Sequence, residues 1–230
     1  MRNLLVLGCS VSDYTHVERT WGEILAEQLR INYIHQAAGC GSNWRMWRTA
    51  FNLVDSGKIT SEDIILVQYT EIIRREFWSP HSTTHKELFG SNGKSFINDQ
   101  YDDGHIVRYK IDADTFGNYH RSEKQLFKLY TRFVNQKFEL EQFKMMHNMF
   151  QSYMADRHFK NVYFIRPCDF GGLYHYSKLH DMYKNNIIHS PNAFENHLPN
   201  DQGHFNQIGH QLLADLVYQK LNSTTRNTVD

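Results

Sequence analysis

The sequence predicts an α/β domain, a parallel sheet with helices on both faces. Three observations carry this. Short, wholly apolar runs recur along the chain, amphipathic helical stretches alternate with them, and unusual polar or glycine-containing residues follow each run directly. Apolar runs alternating with helices are the pattern of buried parallel strands joined by right-handed crossovers. The polar residues after each run fall where ligands gather in such sheets, outside the carboxyl ends of the strands. At 230 residues the chain is ample for one such domain and long for two independent ones.

Leu4 to Leu7 is the first buried strand, ending at Gly8. Thr20 and Glu23 have capping-box spacing, and Trp21, Ile24, Leu25 and Leu29 mark one face of a helix reaching Arg30. Ile31 to Ile34 reads as the second strand, followed by the turn Ala38-Gly39-Cys40-Gly41-Ser42-Asn43. Asn43 is the expected N-cap of a helix with Trp44, Trp47, Phe51 and Val54 on one face, stopping near Gly57. Ile64 to Val67 is the third strand.

Residues 79 to 121 break the rhythm with a polar, aromatic stretch lacking any sustained period, the mark of a functional loop, lid or insertion. Ser122 and Gln125 then form a second capping box. It opens a helical region to about Arg157 with Leu126, Leu129, Tyr130, Phe133, Phe143, Met146, Met149, Phe150 and Tyr153 as its buried face. Val162 to Ile165 is the fourth strand. A last helix from about Gln207 to Leu221 buries Ile208, Leu212, Leu213 and Leu216, and residues 222 to 230 form a polar tail. The expected organisation is one domain over residues 1 to 221.

Composition narrows the function. Lys and Arg number 25 against 25 Asp and Glu, so the net charge is zero and the basic excess of a nucleic-acid binder is missing. No stretch approaches the ~18 apolar residues of a membrane helix. The opening MRNLLVLGC is superficially like a lipoprotein signal, but its apolar run is too short. Three cysteines without CxxC spacing support neither a disulfide framework nor a thiolate zinc site. The expected location is therefore the cytoplasm. His81, His85, Asp102, Asp103 and His105 lack any metal-ligand spacing and read as loop surface.

Ser10 stands where the chain leaves the first strand. By itself it would read as a turn or helix cap. A catalytic serine needs a general base, and that base needs a third group to fix its tautomer. Asp201-Gln202-Gly203-His204-Phe205-Asn206, just before the last helix, offers both. The three-residue spacing lets Asp201 and His204 share one side of a turn for which Gly203 leaves room, with Asn206 available to cap the helix.

Gly8-Cys9-Ser10, the Gly39/Gly41-Ser42-Asn43 turn, and Asp201-x-x-His204-x-Asn206-x-x-Gly209 resemble the first, second and last sequence blocks of the SGNH (GDSL) hydrolase superfamily. The blocks cover about a tenth of the chain, but their order spans all of it. The resemblance implies a three-layer α/β/α sandwich around a flavodoxin-like parallel sheet, and a serine esterase needing no cofactor. Carried over, Ser10 is the nucleophile, His204 the general base and then acid, and Asp201 the orienting carboxylate. The amides of Ser10 and of Gly39 or Gly41 form the oxyanion hole, with Gly41 favoured because it directly precedes Ser42-Asn43. One block departs. After its third strand the family usually carries Gly-x-Asn-Asp, whose Asn is a third oxyanion donor, whereas this chain has Gln68-Tyr69-Thr70-Glu71. Thr70, the Asn43 amide or Arg74 are the replacements available, and a lost donor would cost ~2.7 to 4 kcal/mol of transition-state stabilisation. This variant resembles a branch found in phage and environmental bacterial sequences.

The implied reaction is cleavage of a carboxylic ester, with an O-acetylated carbohydrate or other small ester as substrate and Trp44 and Trp78 placed to stack on a sugar. The alternative is a catalytically weak glycan-binding or interaction module on a hydrolase fold. Neither reading involves nucleic acid, membrane or metal.

Overall fold

A computed structural model of the chain describes residues 2–14, 17–38, 41–70, 72, 75–79, 100–101, 104–109, 125, 129, 136–166, 187–189, 197–198 and 201–226. The first strand, β1 (Asn3–Gly8), leads through a 3-10 turn (Ser10–Ser12) to helix α1 (Trp21–Leu29) and strand β2 (Asn32–Ala37). Helix α2 (Asn43–Asp55) and strand β3 (Ile64–Gln68) follow. Then come β4 (Arg75–Ser79), β5 (Gln100–Tyr101), β6 (Gly104–Tyr109), α3 (Gln136–Asp156), β7 (Val162–Arg166), β8 (Ile187–His189), β9 (His197–Leu198), β10 (Asp201–Phe205) and α4 (Gln207–Arg226).

The main sheet has the order β2-β1-β3-β7-β8, and every neighbouring pair is parallel. This is the doubly wound, flavodoxin-like order, with the switch point between β1 and β3. Helices α1 and α4 pack together on one face. Helices α2 and α3 cover the other, where Trp47 and Phe51 of α2 meet Phe143, Phe150 and Tyr153 of α3. The three-layer α/β/α architecture is therefore present. Leu4 to Leu7 and Ile65 to Val67 are completely buried, as central strands covered on both faces must be, and each such side chain contributes ~1.5 to 3 kcal/mol.

Local signals set several boundaries as expected. Thr20 accepts a hydrogen bond from the Glu23 amide and caps α1, and Gly57 takes φ +70° just past α2. Others differ. The cap of α2 is Ser42, whose hydroxyl accepts from the Arg45 amide; Asn43 is the first helical residue and its side chain is released for another task. A fifth strand, β8, extends the sheet. Within the stretch expected to be irregular, β5 and β6 join β4 in an antiparallel sheet of order β4-β6-β5.

Helix α4 continues to Arg226 rather than ending at Leu221. Its buried face is Leu213, Ala214, Val217 and Leu221, while Ile208 and Leu212, expected inside, are exposed. The same correction applies to Leu129 and Met149, whereas Phe143 and Phe150 are buried as expected. Leu126, Tyr130 and Phe133 lie outside the described residues. Among the described residues no helix is long and apolar enough to cross a membrane.

Candidate active site

Three loops meet at the carboxyl end of β1. The Gly8 carbonyl accepts from the Ala38 amide at 3.2 Å, joining the ends of β1 and β2. Beyond Gly8 the chain folds back over the strand end, and Ser12 N–H closes the 3-10 turn on the Cys9 carbonyl at 2.9 Å. Gly8 is required by that reversal. A Cβ there would lie 2.7 Å from both Cβ and Oγ of Ser12 and 3.0 Å from Gln68 Oε1.

Gly41 is required for a similar reason, because a Cβ would sit 2.9 Å from the Ala38 carbonyl oxygen and 3.0 Å from that of Gly8. The Gly41 N–H, favoured from the sequence as an oxyanion donor, donates instead to the Ala38 carbonyl at 2.9 Å. Asn43 ties this second loop to the third. Its side-chain amide donates to the Thr70 carbonyl at 3.0 Å and its Oδ1 accepts from the Thr70 amide at 2.9 Å. Both residues are buried, so this pair supplies hydrogen bonds that water cannot.

Beneath the Ser10–Ser12 turn lies a buried polar group that pattern reading missed. Ser12 Oγ donates to Gln68 Oε1 at 2.6 Å and accepts from the Trp21 indole N–H at 2.8 Å. Gln68 Nε2 donates to the Tyr69 carbonyl at 2.9 Å and lies 3.5 Å from the buried Cys9 Sγ. Gln68 was legible only as the polar end of an apolar run. Beside the turn, buried Asp13 accepts from the Tyr14 amide at 2.8 Å and lies 3.4 Å from His35 Nε2. His35 Nδ1 is in turn 2.9 Å from the Tyr33 hydroxyl.

The last block arrives from the far end of the chain. Strand β10, which carries Asp201 and His204, lies against the turn Ser10–Ser12. Asp201 and His204 are thus on an extended segment rather than on the turn their spacing suggested. The β9–β10 register shifts between Asp201 and Phe205, so strict two-residue alternation does not hold across them. His204 is partly exposed. Asn206 caps α4, its Oδ1 accepting from the Gly209 amide at 3.0 Å.

Helix α4 is fastened to the start of α1. Gln207 Nε2 donates to the Arg19 carbonyl at 2.9 Å, and His210 Nδ1 accepts from the Trp21 backbone amide at 3.0 Å. Burial, reinforced by the neighbouring His204, pushes the His210 imidazole down to about 4, so it is neutral near pH 7. A second buried imidazole, His147 of α3, is also pushed down to about 4 by burial, and it pairs with the Tyr69 hydroxyl behind the third loop.

The structure thus brings the backbone segments of Ser10, Asp201 and His204 to one place, with Gly41, Asn43 and Thr70 on the adjoining loops. The side chains of Ser10 and Asp201, and residues Gly39 and Arg74, lie outside what is described, as does the Trp78 side chain. Trp44 is partly buried and edge-on to Trp47, part of the packing of α2.

The sequence matches no family model. Nor does it match any curated protein sequence. Among solved structures the chain is similar to a psychrotrophic esterase, EstA from Pseudoalteromonas sp., in a structure inhibited by monoethylphosphonate. The identity is 10%, the TM-score is 0.54, and the alignment covers 98% of this chain and 100% of the esterase. At that identity the likeness is one of fold. Nearly the whole chain shares the α/β architecture of an esterase.

Proposed function

We propose that this protein is a serine hydrolase that cleaves a carboxylic ester through an acyl-enzyme on Ser10. The observation that carries the reading is the seating of β10 against the Ser10–Ser12 turn at the carboxyl end of the parallel sheet. Two segments about 190 residues apart in sequence, one with a serine and one with an Asp and a His, meet where such sheets bind ligands. The esterase whose fold the chain shares, and its inhibition by a phosphonate, support the same chemistry.

In this reading Ser10 Oγ attacks the ester carbonyl as His204 takes its proton, and Asp201 holds the imidazole in the required tautomer. The carbonyl oxygen gains the charge and is held by the Ser10 amide and a second loop amide. Because the Gly41 N–H already serves the Ala38 carbonyl, Gly39 is the better second donor. Collapse expels the alcohol, which takes the proton from His204; water, deprotonated by the same base, then releases the acid and restores Ser10. Thr70, held by Asn43 at the end of β3, is the candidate third donor. A small uncharged ester such as an O-acetylated carbohydrate suits the chain's neutral balance.

Ser10→Ala should abolish hydrolysis of short p-nitrophenyl esters while the variant unfolds at the wild-type temperature. Unchanged turnover in the variant would remove the triad. A wild-type protein that is folded, inert toward esters and retained by an immobilised glycan would favour the binding-module alternative.

A further inference from the structure

The catalytic reading requires two distant segments to hold a common geometry, and the structure contains a hydrogen-bonded chain that spans them. Gln68, Ser12, Trp21 and His210 are linked in series by contacts of 2.6, 2.8 and 3.0 Å. The donors fix its direction. An indole N–H can only donate, so Ser12 Oγ accepts from Trp21 and its own hydrogen goes to Gln68 Oε1. The Gln68 amide cannot reverse, because its Nε2 is engaged with the Tyr69 carbonyl. A backbone N–H likewise only donates, so His210 Nδ1 must be bare and its proton must sit on Nε2. Ser12, Trp21 and Gln68 are 0% exposed and His210 is 2% exposed, so no water replaces a broken link.

Two members of this series adjoin segments that carry the proposed triad. Ser12 shares its 3-10 turn with Ser10. His210 lies edge-on to Phe205, the residue after His204, with ring centroids 6.0 Å apart. Trp21 reaches both, its indole N–H toward the Ser10–Ser12 turn and its backbone amide toward α4.

We infer that Trp21, through Ser12 and His210, is a positioning residue that sets the separation of the Ser10 nucleophile from the His204 base. The inference rests on the hydrolase reading above. It differs from plain packing in what it predicts, because reacting atoms misplaced by a fraction of an ångström lose rate without losing substrate affinity.

The test uses the full chain and five proteins: wild type, Ser12→Ala, Trp21→Phe, His210→Leu and His210→Asn. Asparagine places an acceptor close to where Nδ1 stood. For each, kcat and KM for p-nitrophenyl acetate, the rate of covalent labelling by a fluorophosphonate, and the thermal midpoint are measured, with assays run well below that midpoint. Ser12→Ala, Trp21→Phe and His210→Leu should lower kcat and the labelling rate together by about 10- to 100-fold at unchanged KM, and His210→Asn should recover most of the loss. Folded variants with wild-type kcat and labelling rate would overturn the positioning role while leaving the hydrolase reading intact. A folded wild type that is not labelled would overturn the hydrolase reading and the positioning role with it. If Trp21→Phe does not fold, Ser12→Ala, which removes a single hydroxyl, decides the matter.

Discussion

Lowering the pH from 7 to 5 should destabilise this protein through two buried histidines. His210 and His147 are almost wholly removed from solvent, and burial pushes both down to about 4. At pH 5 each is therefore neutral in the folded chain, whereas the unfolded chain protonates it below about 6.5. The unfolded state binds the extra protons, so stability must fall as the pH falls through this window. For one imidazole the loss is about 2 kcal/mol by pH 5 and about 3 kcal/mol by pH 4, below which the folded state becomes protonated too and little more is lost. Both histidines together remove roughly 4 kcal/mol by pH 5, a large share of the ~5 to 15 kcal/mol typical of a domain. Geometry gives the same sign, since a proton on His210 Nδ1 would face the Trp21 N–H that this nitrogen now accepts. Urea unfolding at pH 7 and pH 5 checks the prediction in wild type and in His210→Asn, which does not titrate. The variant should lose about 2 kcal/mol less than wild type between the two conditions. An equal loss in the two proteins, or a wild type equally stable at both values, would refute the reasoning.

Three substitutions test the lacing of the loops. Gly8→Ala would drive a methyl to 2.7 Å from Ser12 and should cost roughly 1 to 3 kcal/mol in denaturant unfolding, with a fall in the proposed esterase activity as the Ser10–Ser12 turn shifts. Gly41→Ala meets backbone oxygens rather than a movable side chain at 2.9 and 3.0 Å and should destabilise by at least as much. Asn43→Ala deprives the Thr70 amide and carbonyl of the two bonds that Asn43 supplies, which should cost about 1 to 3 kcal/mol for each group left unsatisfied. A wild-type thermal midpoint in Asn43→Ala would show that the pair does not hold the third loop.

What was legible in the sequence follows from how each element is buried. Leu4 to Leu7 and Ile64 to Val67 are covered on both faces, so burial wrote itself into unbroken apolar runs. β8 is too short to show a pattern, and β10, with the sequence DQGHF, is almost wholly polar because its neighbours are a turn and a short strand. Ser42 and Asn43 are equally good caps in isolation; Asn43 enters the helix because its side chain is drawn to Thr70, 27 residues away. Ile208 and Leu212 fit an apolar stripe, but α4 docks on α1 through Gln207, His210 and Asp215, which turns those two side chains outward. Ser10, Asp201 and His204 were singled out through short blocks flanking predicted elements, and the fold brings the backbone of those blocks together. The roles of Ser12, Trp21, Gln68 and His210 were not, because each depends on a partner brought by the fold from a distant segment.

The proposed function makes Ser10 a nucleophile activated by His204. Its most direct test is peptide mapping by mass spectrometry after reaction of the full chain with a fluorophosphonate, in wild type and in His204→Ala. One adduct per wild-type chain, on Ser10, is expected, and none in the variant. A folded wild-type protein that takes no adduct, or takes it at another residue, would contradict it.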